Sequence, residues 1–568
     1  MDQRRVLLAV TLSLAIVIAY QELVVKRFYP PSDAPGLEAA TPPVAAPPVA
    51  APPLAGQPAG ARGAPAAVPA ADAPAEAARP VLAAGRDVVV DTPYYRATFT
   101  TAGARLRSLE LKHYRATVHP QSPFLQMVQF PDQTRLPLGL SLRGAERQLD
   151  DAGVVYDVDR TEVDLPADGT ETITFTGQLP GGATARKRIT LRGNDYLWAI
   201  DVDVSAVPRA YTEMALGWEE GLDPAGVNAA EVVFDNVLVL QEGKLEHIPF
   251  ANLIEPRLIE NNVGWTGFGG RYFLAAFIPQ ADEKNAMRIW ARQHPGQNQQ
   301  PGRNQQPGMV ETQVLFPPGQ FEAHADLYLG PKDIDRLEAI GHGLRKAVDL
   351  GWFTFIALPL LQALRFLNGF VGNYGVAIII LTVIIKGLFY PLTKKSFESM
   401  REMQKLQPEM QKLRERLKDK PEAMNKEIME LYRQHKVNPL GGCLPMVLQI
   451  PVFVGLYNAL LNAVELRHAP FVGWIHDLSA PDRFGTLALP FVHPAGLPIL
   501  TLAMGGTMFL QQWMTPSPAD PTQQRIMLIM PVMFTFMFLN FPAGLVLYWL
   551  VNNVLTIAQQ YSMLRKTA

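Results

Sequence analysis

Five apolar segments in the second half of the chain constrain the fold more than any other feature. A polypeptide crosses a lipid bilayer only if its backbone hydrogen bonds are satisfied internally. A spanning helix needs about 17–25 mainly apolar residues, and these segments reach or approach that length. We predict spans at residues 371–392, 441–463, 496–514, 526–541 and 543–560.

The N-terminus carries a sixth apolar segment. Arg4 and Arg5 precede a run from Val6 to Val25 that few polar residues interrupt. Such a segment is either a cleaved secretory signal or a retained anchor. Its apolar character continues past a weak cleavage signature at residues 17–19, which favours an anchor over residues 1–29. Either alternative exports the chain that follows.

Lys and Arg are distributed unevenly between the connecting loops. Residues 394–436 contain twelve of them, whereas residues 464–495 contain only Arg467 and Arg483. Short loops rich in Lys and Arg stay in the cytoplasm. We therefore expect both termini to be cytoplasmic, and six spans satisfy that parity.

The exported region differs in composition from the spans. Residues 30–85 are dominated by Ala, Pro and Gly, which predicts a disordered tether. Residues 86–345 contain short alternating runs, such as Trp198–Val204, between Gly, Pro and Asp turns. This pattern predicts an antiparallel β-sandwich. Cys443 is the only cysteine in the chain, so no disulfide framework is possible.

Two further helical segments are predicted outside the spans. Residues 351–370 are amphipathic and interrupted by Pro359, which predicts an interfacial helix on the outer surface, with a simple helical linker as the alternative. Residues 394–437 predict an antiparallel helical hairpin, with Pro408 expected to kink its first helix. The apolar seam of that first helix is Met403, Leu406, Met410, Leu413 and Leu417.

The spans contain neutral polar side chains rather than catalytic ones. No HExxH, no GxSxG and no Gly-rich phosphate loop occurs, and the five C-terminal spans contain no Asp or Glu. We therefore expect no catalytic residue, cofactor or metal. Amides such as Gln449 and Asn552 need partners or water at membrane depth. Interhelical hydrogen bonding and a hydrated pocket remain alternative explanations for them.

Five motifs in the membrane region resemble, in the same order, those of the YidC insertase family. They are Lys386–Lys394, Val437–Pro445, Val464–Arg467, Trp474–Ser479 and Phe541–Trp549. The resemblance implies a five-helix insertase core over residues 371–568. That core would enclose a hydrophilic groove open to the cytoplasm and lipid and closed toward the periplasm. The exported domain and tether resemble the form found in bacteria with two membranes, which implies a periplasmic β domain and an inner-membrane location.

The resemblance also implies a site and a set of partners. Lys386 stands where the family's groove usually carries arginine, which preserves the charge but not bidentate pairing. The implied partners are nascent membrane proteins, the ribosome, the Sec translocon and the lipid bilayer, without direct sequence-specific binding of nucleic acid. The expected substrate groove contains Lys386, Thr382, Gln449, Tyr548, Trp549 and Asn552.

The expected function is that of an energy-independent insertase and membrane chaperone, which inserts, folds and helps assemble membrane proteins alone or with the translocon. A solute transporter or channel is the alternative, and a sensor whose β domain binds a ligand is a third class. A transporter would predict an inverted internal repeat or a relay of acids, and the sequence contains neither.

Deletions separate the hairpin from the tether. We expect removal of residues 397–435, replaced by a short linker, to abolish complementation, because the seam and charged faces predict a folded functional element. We expect removal of residues 35–80 to be tolerated, because their composition predicts a passive spacer. Growth of a depletion strain measures both. Full complementation by the first deletion, or loss of insertion in the second, would contradict the respective expectation.

Overall fold

The computed structural model describes residues 85–565 except for several internal gaps. The predicted anchor (1–29) and the tether up to residue 84 lie outside the described residues, as does most of the Val437–Pro445 motif. The gaps are residues 129–135, 146, 222–233, 254–255, 261, 280–285, 293–308, 418–419, 436–443, 488–491, 493 and 515–520.

The N-terminal described region is built of strands. They are β1 (Asp87–Asp91), β2 (Tyr95–Thr100), β3 (Arg105–Arg115), β4 (Phe124–Gln126), β5 (Gly139–Arg143), β6 (Gln148–Asp150), β7 (Asp157–Val158), β8 (Glu162–Asp164), β9 (Thr170–Gln178), β10 (Thr184–Arg192), β11 (Leu197–Ser205), β12 (Glu213–Gly221), β13 (Asn236–Gln241), β14 (Lys244–Pro249), β15 (Arg257–Ile259), β16 (Val263–Gly269), β17 (Phe273–Pro279), β18 (Ala286–Arg292), β19 (Met309–Leu315) and β20 (Glu322–Pro331).

These strands form three sheets. Their orders are β4-β3-β2-β1-β8, β14-β13-β16-β17-β20-β11-β10-β9-β7 and β15-β18-β19-β12-β5-β6. Along β11, Trp198, Ile200 and Val202 are buried and alternate with half-buried residues, as the period-two pattern predicts. The sheets differ from a purely antiparallel sandwich because β1 pairs with β8 in parallel. The chain between these two strands is long enough for the crossover that a parallel pair needs.

A buried cluster of charges joins the three sheets. The ammonium of Lys187, on β10, donates to the carbonyl oxygens of Gly103 and Leu138, both at 2.7 Å. It also pairs with Asp151 at 2.6 Å, and Arg105 on β3 reaches the same carboxylate at 3.0 Å. Burial lowers the pKa of Lys187, and the Asp151 carboxylate opposes that shift. The carboxylate thus compensates two cations that have left water.

The C-terminal described region is helical. Its helices are α1 (Ile334–Ile340), α2 (Thr354–Val371), α3 (Tyr374–Lys405), α4 (Gln407–Arg416), α5 (Pro421–Gln434), α6 (Leu444–Asn462), α7 (Ile499–Met514), α8 (Pro521–Phe538) and α9 (Ala543–Arg565), with 3-10 turns at Phe250–Asn252, Leu344–Ala347 and Val464–Leu466. Helix α9 contacts α3, α6 and α7, while α8 packs on α7 and α2 packs on α3 and α6. Helix α9 is therefore the centre of the bundle.

Helix α2 corresponds to the segment predicted at residues 351–370, and it is continuous rather than interrupted at Pro359. Gly351 has a φ of +69°, and Gly372, with a φ of +65°, ends the helix in the left-handed conformation. Pro359 lies inside the helix without interrupting it. Its missing N–H removes only the single backbone bond to Phe355, so the prediction of a break was wrong.

Helix α3 joins two elements that the sequence separated. The span expected at 371–392 and the start of the hairpin expected at 394–437 form one helix of 32 residues, about 48 Å long. The chain breaks at Leu406 instead, and Pro408 lies in the first turn of α4. Proline is tolerated there because the N–H of a first-turn residue has no helical partner, so it starts a helix rather than kinking one.

The hairpin has a shorter core than its predicted seam. Leu406 and Met410 are buried together with Leu431 of α5, and the Tyr432 hydroxyl donates to the Met410 sulfur at 3.0 Å. Met403 is buried as well, and Leu413 packs at the edge of this cluster. Leu417 lies outside the cluster, because α4 ends at Arg416 and Leu417 is its C-terminal cap.

The remaining predicted spans shift at their ends. The segments expected at 441–463, 496–514, 526–541 and 543–560 correspond to α6, α7, α8 and α9. Helix α9 has 23 residues, about 35 Å, and continues five residues past the end of its predicted span. By length and composition alone, α2 and α3 are the helices of the described chain that could cross a membrane, and Met527–Phe538 is a shorter apolar stretch.

Removing the Asp151 carboxylate should lower the urea concentration at which the β-rich region unfolds. Asp151→Asn leaves the buried Lys187 without its counter-ion and leaves Arg105 with Asp150, at 2.8 Å, as its remaining carboxylate. We expect a cost of about 3–5 kcal/mol. Asp87→Asn removes one partner of the exposed Arg107 pair and should cost less than about 1 kcal/mol. Proteolysis of the full-length protein across a urea series measures both. Equal losses of stability in the two variants would contradict the role of the cluster.

Candidate functional site

Helix α9 brings a row of polar side chains into the centre of the bundle. Asn553, Thr556 and Gln560 are buried, at 3%, 7% and 5% exposure, and Asn552 is half-buried. Residues three and four apart lie on one face of a helix. Because α9 contacts three other helices, this face can hydrogen-bond to several of them.

Lys386 of α3 reaches this row. Its ammonium donates to the Thr556 hydroxyl at 2.8 Å, and that hydroxyl donates to the Asn552 carbonyl at 2.6 Å. Thr382, one turn earlier on α3, is buried and donates to the Ile378 carbonyl of its own helix at 2.6 Å. Thr382 therefore shares the face of Lys386 while its own hydroxyl proton is already satisfied.

An amide network links α6 to α9. Gln449 donates to the Asn552 side-chain oxygen at 2.9 Å and to the Tyr548 hydroxyl at 3.4 Å. Asn553 donates in turn to Thr507 of α7 at 3.3 Å. These bonds bring Gln449 to Tyr548 and Asn552, which lie 99 and 103 residues further along the chain.

Trp549 lies beside this network in an aromatic cluster. Its ring meets Phe453 edge-on at a centroid distance of 4.7 Å, and Phe538 lies at 5.3 Å. Phe534 stacks on it at 6.4 Å. Of the six groove residues predicted from sequence, Trp549 thus lies in an aromatic cluster, and the other five carry polar side chains.

Away from the polar network, two charged side chains stabilise the start of α7 and the turn between α8 and α9. Asp482 is buried, accepts from the Trp474 indole at 2.6 Å, and caps α7 by accepting from the backbone N–H groups of Leu500 and Thr501. Arg483 donates to the Leu539 carbonyl at 3.0 Å and to the Asn540 side chain at 2.8 Å. We did not predict a structural role for Asp482 and Arg483 from the sequence. Their position shortly before the apolar segment at 496–514 could have indicated a helix cap.

Two arginines connect the bundle to its surroundings, Arg365 to the helix α1 that follows the last strand and Arg467 to the β-rich region. Arg365 of α2 pairs with Asp335 of α1 at 2.8 Å and also with Glu465. Arg467 donates to the backbone oxygens of Arg115 and Ala116, at 2.9 and 3.3 Å. Both contacts involve the segment that follows α6, so that segment holds the two regions together.

The site offers hydrogen bonds and one positive charge. Within the part of the chain that the structure describes, no group of three or more His, Cys, Asp or Glu side chains could hold a metal ion. Lys386 bonds to a neutral hydroxyl rather than a carboxylate, so its charge is available to an anionic group. Such a site can solvate polar or acidic segments of another molecule.

An apolar helix bundle with a hydrogen-bonding interior, joined to a β-rich domain, defines a class of integral membrane protein. Residues 366–568 match the family model described as 60Kd inner membrane protein, and residues 87–363 match the YidC periplasmic domain. The chain belongs to the YidC family, as the sequence motifs predicted.

Relatives extend this match along the whole chain. A protein of Pelobacter propionicus is 44% identical over 85% of this chain and 87% of its own length. A protein of Syntrophus aciditrophicus is 40% identical over 98% of both chains, and one of Oleidesulfovibrio alaskensis is 38% identical over the full length of both. All three are named membrane protein insertase YidC.

Loss of the buried Asp482 carboxylate should destabilise the bundle. Asp482→Ala leaves the Trp474 indole and two backbone N–H groups without their acceptor, at a cost of about 1–3 kcal/mol. Glu398→Ala removes an exposed carboxylate 3.9 Å from Lys394 and should leave the melting temperature unchanged. Thermal unfolding in detergent measures both. Identical melting temperatures for the two variants would contradict the capping role.

Proposed function

We propose that this protein inserts, folds and helps assemble integral membrane proteins through a hydrophilic groove open to the cytoplasm and to lipid. The observation that carries the proposal is the polar network that links Lys386, Gln449 and Asn552 across α3, α6 and α9. Its relatives carry the name of insertase over nearly the full chain. Solvating a polar segment in the membrane requires no covalent chemistry, so this function is not that of an enzyme.

The proposed groove is lined by six residues. Lys386 supplies charge, and Gln449, Asn552 and the Tyr548 hydroxyl supply hydrogen bonds to a substrate. Thr382 and the Trp549 ring complete the path on α3 and α9. In such a groove a polar tail exchanges water for protein groups, which lowers the cost of its passage through the hydrocarbon region.

The proposed topology has six spans in the cell inner membrane. They are the N-terminal anchor, α3, α6, α7, α8 and α9, with both termini cytoplasmic and the β domain in the periplasm. The loop at 394–436, with twelve Lys and Arg, supports this orientation. The anchor (1–29) and tether (30–85) would connect the domain to the membrane.

Helix α2 is proposed to lie on the periplasmic surface rather than to span. Arg365 lies in its interior and pairs with Asp335 and Glu465, and charges of this kind are costly at the centre of a span. Trp352, just before the helix, is 97% exposed, and Phe355 is 73% exposed. Exposed aromatic rings beside ion pairs suit the boundary between headgroups and acyl chains.

Nascent membrane proteins are the proposed substrates. The ribosome is a proposed partner because the hairpin of α4 and α5 exposes Lys412 and Lys426 on the cytoplasmic side, where they would meet the anionic ribosome surface. The Sec translocon is proposed on family resemblance. A solute transporter remains the alternative, and the absence of Asp and Glu from the five C-terminal predicted spans disfavours it.

Reconstitution tests the proposed function directly. Purified protein in liposomes should insert a small single-span substrate without nucleotide, as measured by protease protection of the translocated tail. Empty liposomes and liposomes containing heat-denatured protein are the controls. Insertion no greater than in empty liposomes would refute the insertase function.

Substitutions of Lys386 should separate substrates by charge. Lys386→Arg should retain function, because only positive charge and reach are required. Lys386→Ala should impair substrates with acidic translocated tails most, and Lys386→Glu should be worst because it repels those tails. Protease protection of acidic-tailed and neutral-tailed substrates measures the difference. If Lys386→Ala inserts both equally well, Lys386 is a solvated side chain without an electrostatic role.

A further inference from the structure

The partner of Lys386 has a fixed orientation. The Thr556 hydroxyl carries one proton, which it donates to the Asn552 carbonyl at 2.6 Å. Its oxygen lone pairs are therefore the groups that accept from the Lys386 ammonium at 2.8 Å. Thr556 is only 7% exposed, so the hydroxyl has little room to turn toward other partners.

The position of Thr556 determines where the ammonium lies. Gly544 of α9 lies against Ile378 of α3, whose Cδ1 would be 3.3 Å from a Cβ at position 544. From that contact, eight residues of α3 lead to Lys386 and twelve residues of α9 lead to Thr556. The two helices therefore run in the same direction, with rises of about 12 and 18 Å. Thr556 therefore lies about 6 Å further along the bundle than the backbone of Lys386, and the lysine side chain covers this distance in the direction of the proposed cytoplasmic end.

Without the bond to Thr556, the Lys386 side chain could extend toward the lipid headgroups instead of toward α9. Long cationic side chains extend along apolar surface toward the headgroups, and the neighbouring Leu388 is 74% exposed on the outside of the bundle. The bond to Thr556 instead directs the ammonium toward α9. Because the acceptor is neutral, it orients the ammonium without neutralising its charge. An Asp or Glu at position 556 would neutralise it.

We propose that Thr556 is a positioning residue that holds Lys386 toward the groove and thereby sets the preference for acidic substrate tails. This inference rests on the proposed insertase function. An arriving carboxylate replaces the hydroxyl as acceptor, since a hydrogen bond between two charged groups is stronger than one to a neutral oxygen. When the tail leaves, Lys386 returns to Thr556, and no covalent step is involved.

The test compares two hydroxyl variants in reconstituted full-length protein. The substrates are two single-span proteins identical except for two Asp or two Asn residues in the translocated tail, and the readout is the ratio of their insertion rates. Thr556→Val removes the acceptor at nearly constant volume and should lower the acidic preference by roughly tenfold, because a hydrogen bond to a charged group is lost. Thr556→Ser keeps the hydroxyl and should retain the wild-type ratio.

A double variant and a control separate positioning from packing. In Lys386→Met protein, Thr556→Val should change the ratio no further, because Thr556 acts through Lys386. Thr535→Val removes a hydroxyl of α8 that bonds within its own helix at 2.7 Å, and it should retain the wild-type ratio. If Thr556→Val does not accumulate in the membrane, Thr556→Ala takes its place.

The outcomes distinguish this inference from the function on which it rests. A wild-type ratio in Thr556→Val, an additional loss in the double variant, or an equal loss in Thr535→Val would overturn the positioning role. In each of these cases wild-type insertion still supports the insertase function. Failure of the wild-type protein to insert either substrate would overturn both.

Discussion

An ammonium group within a bundle of apolar helices must be solvated by the protein or by water, and polar groups of α6 and α9 lie where that requirement places them. On insertion scales a lysine at the centre of a span costs about 2.5–3.5 kcal/mol. Here Lys386 meets the Thr556 hydroxyl, and the backbone carbonyl and side chain of Asn552 continue the polar path to Gln449. Each group in this path is neutral except the first, so the charge remains available to an anionic group, as the proposed function requires.

The two ends of the bundle use different interactions. On the side of the β-rich domain, carboxylates and guanidinium groups of Asp482, Arg483, Arg365 and Glu465 fasten helices, loops and domain to one another. Deeper in the bundle, neutral amides and hydroxyls form the hydrogen bonds between helices. Charged and capping contacts are costly to break, whereas neutral bonds exchange readily with a substrate or water. Strong contacts at the end beside the β-rich domain and exchangeable bonds in the interior are the properties that the proposed groove, open on one side, requires.

Local sequence signals predicted the elements better than their contacts. Apolar runs predicted the helices of the bundle, and a lysine within one of them, Lys386, is the charged residue of the proposed site. The pairing of Gln449 with Asn552 was not readable, because periodicity describes one helix face and says nothing about which helix lies opposite. The continuation of α3 past Lys394 was missed because a change from apolar to charged residues marks a membrane boundary, not a helix end. Likewise, the joining of three sheets at Lys187 depends on contacts distant in sequence.

Water access to the polar path tests the account most directly. Cys443 is the only native cysteine, so Cys443→Ser gives a background for single cysteines. Asn552→Cys lies on the network, and Val554→Cys lies two residues away on the same helix, where the native side chain is 48% exposed outside the bundle. In inverted membrane vesicles, a membrane-impermeant thiol reagent should label position 552 and leave position 554 unlabelled. Labelling of position 554 alone, or of neither position, would contradict a hydrated groove that opens to the cytoplasm.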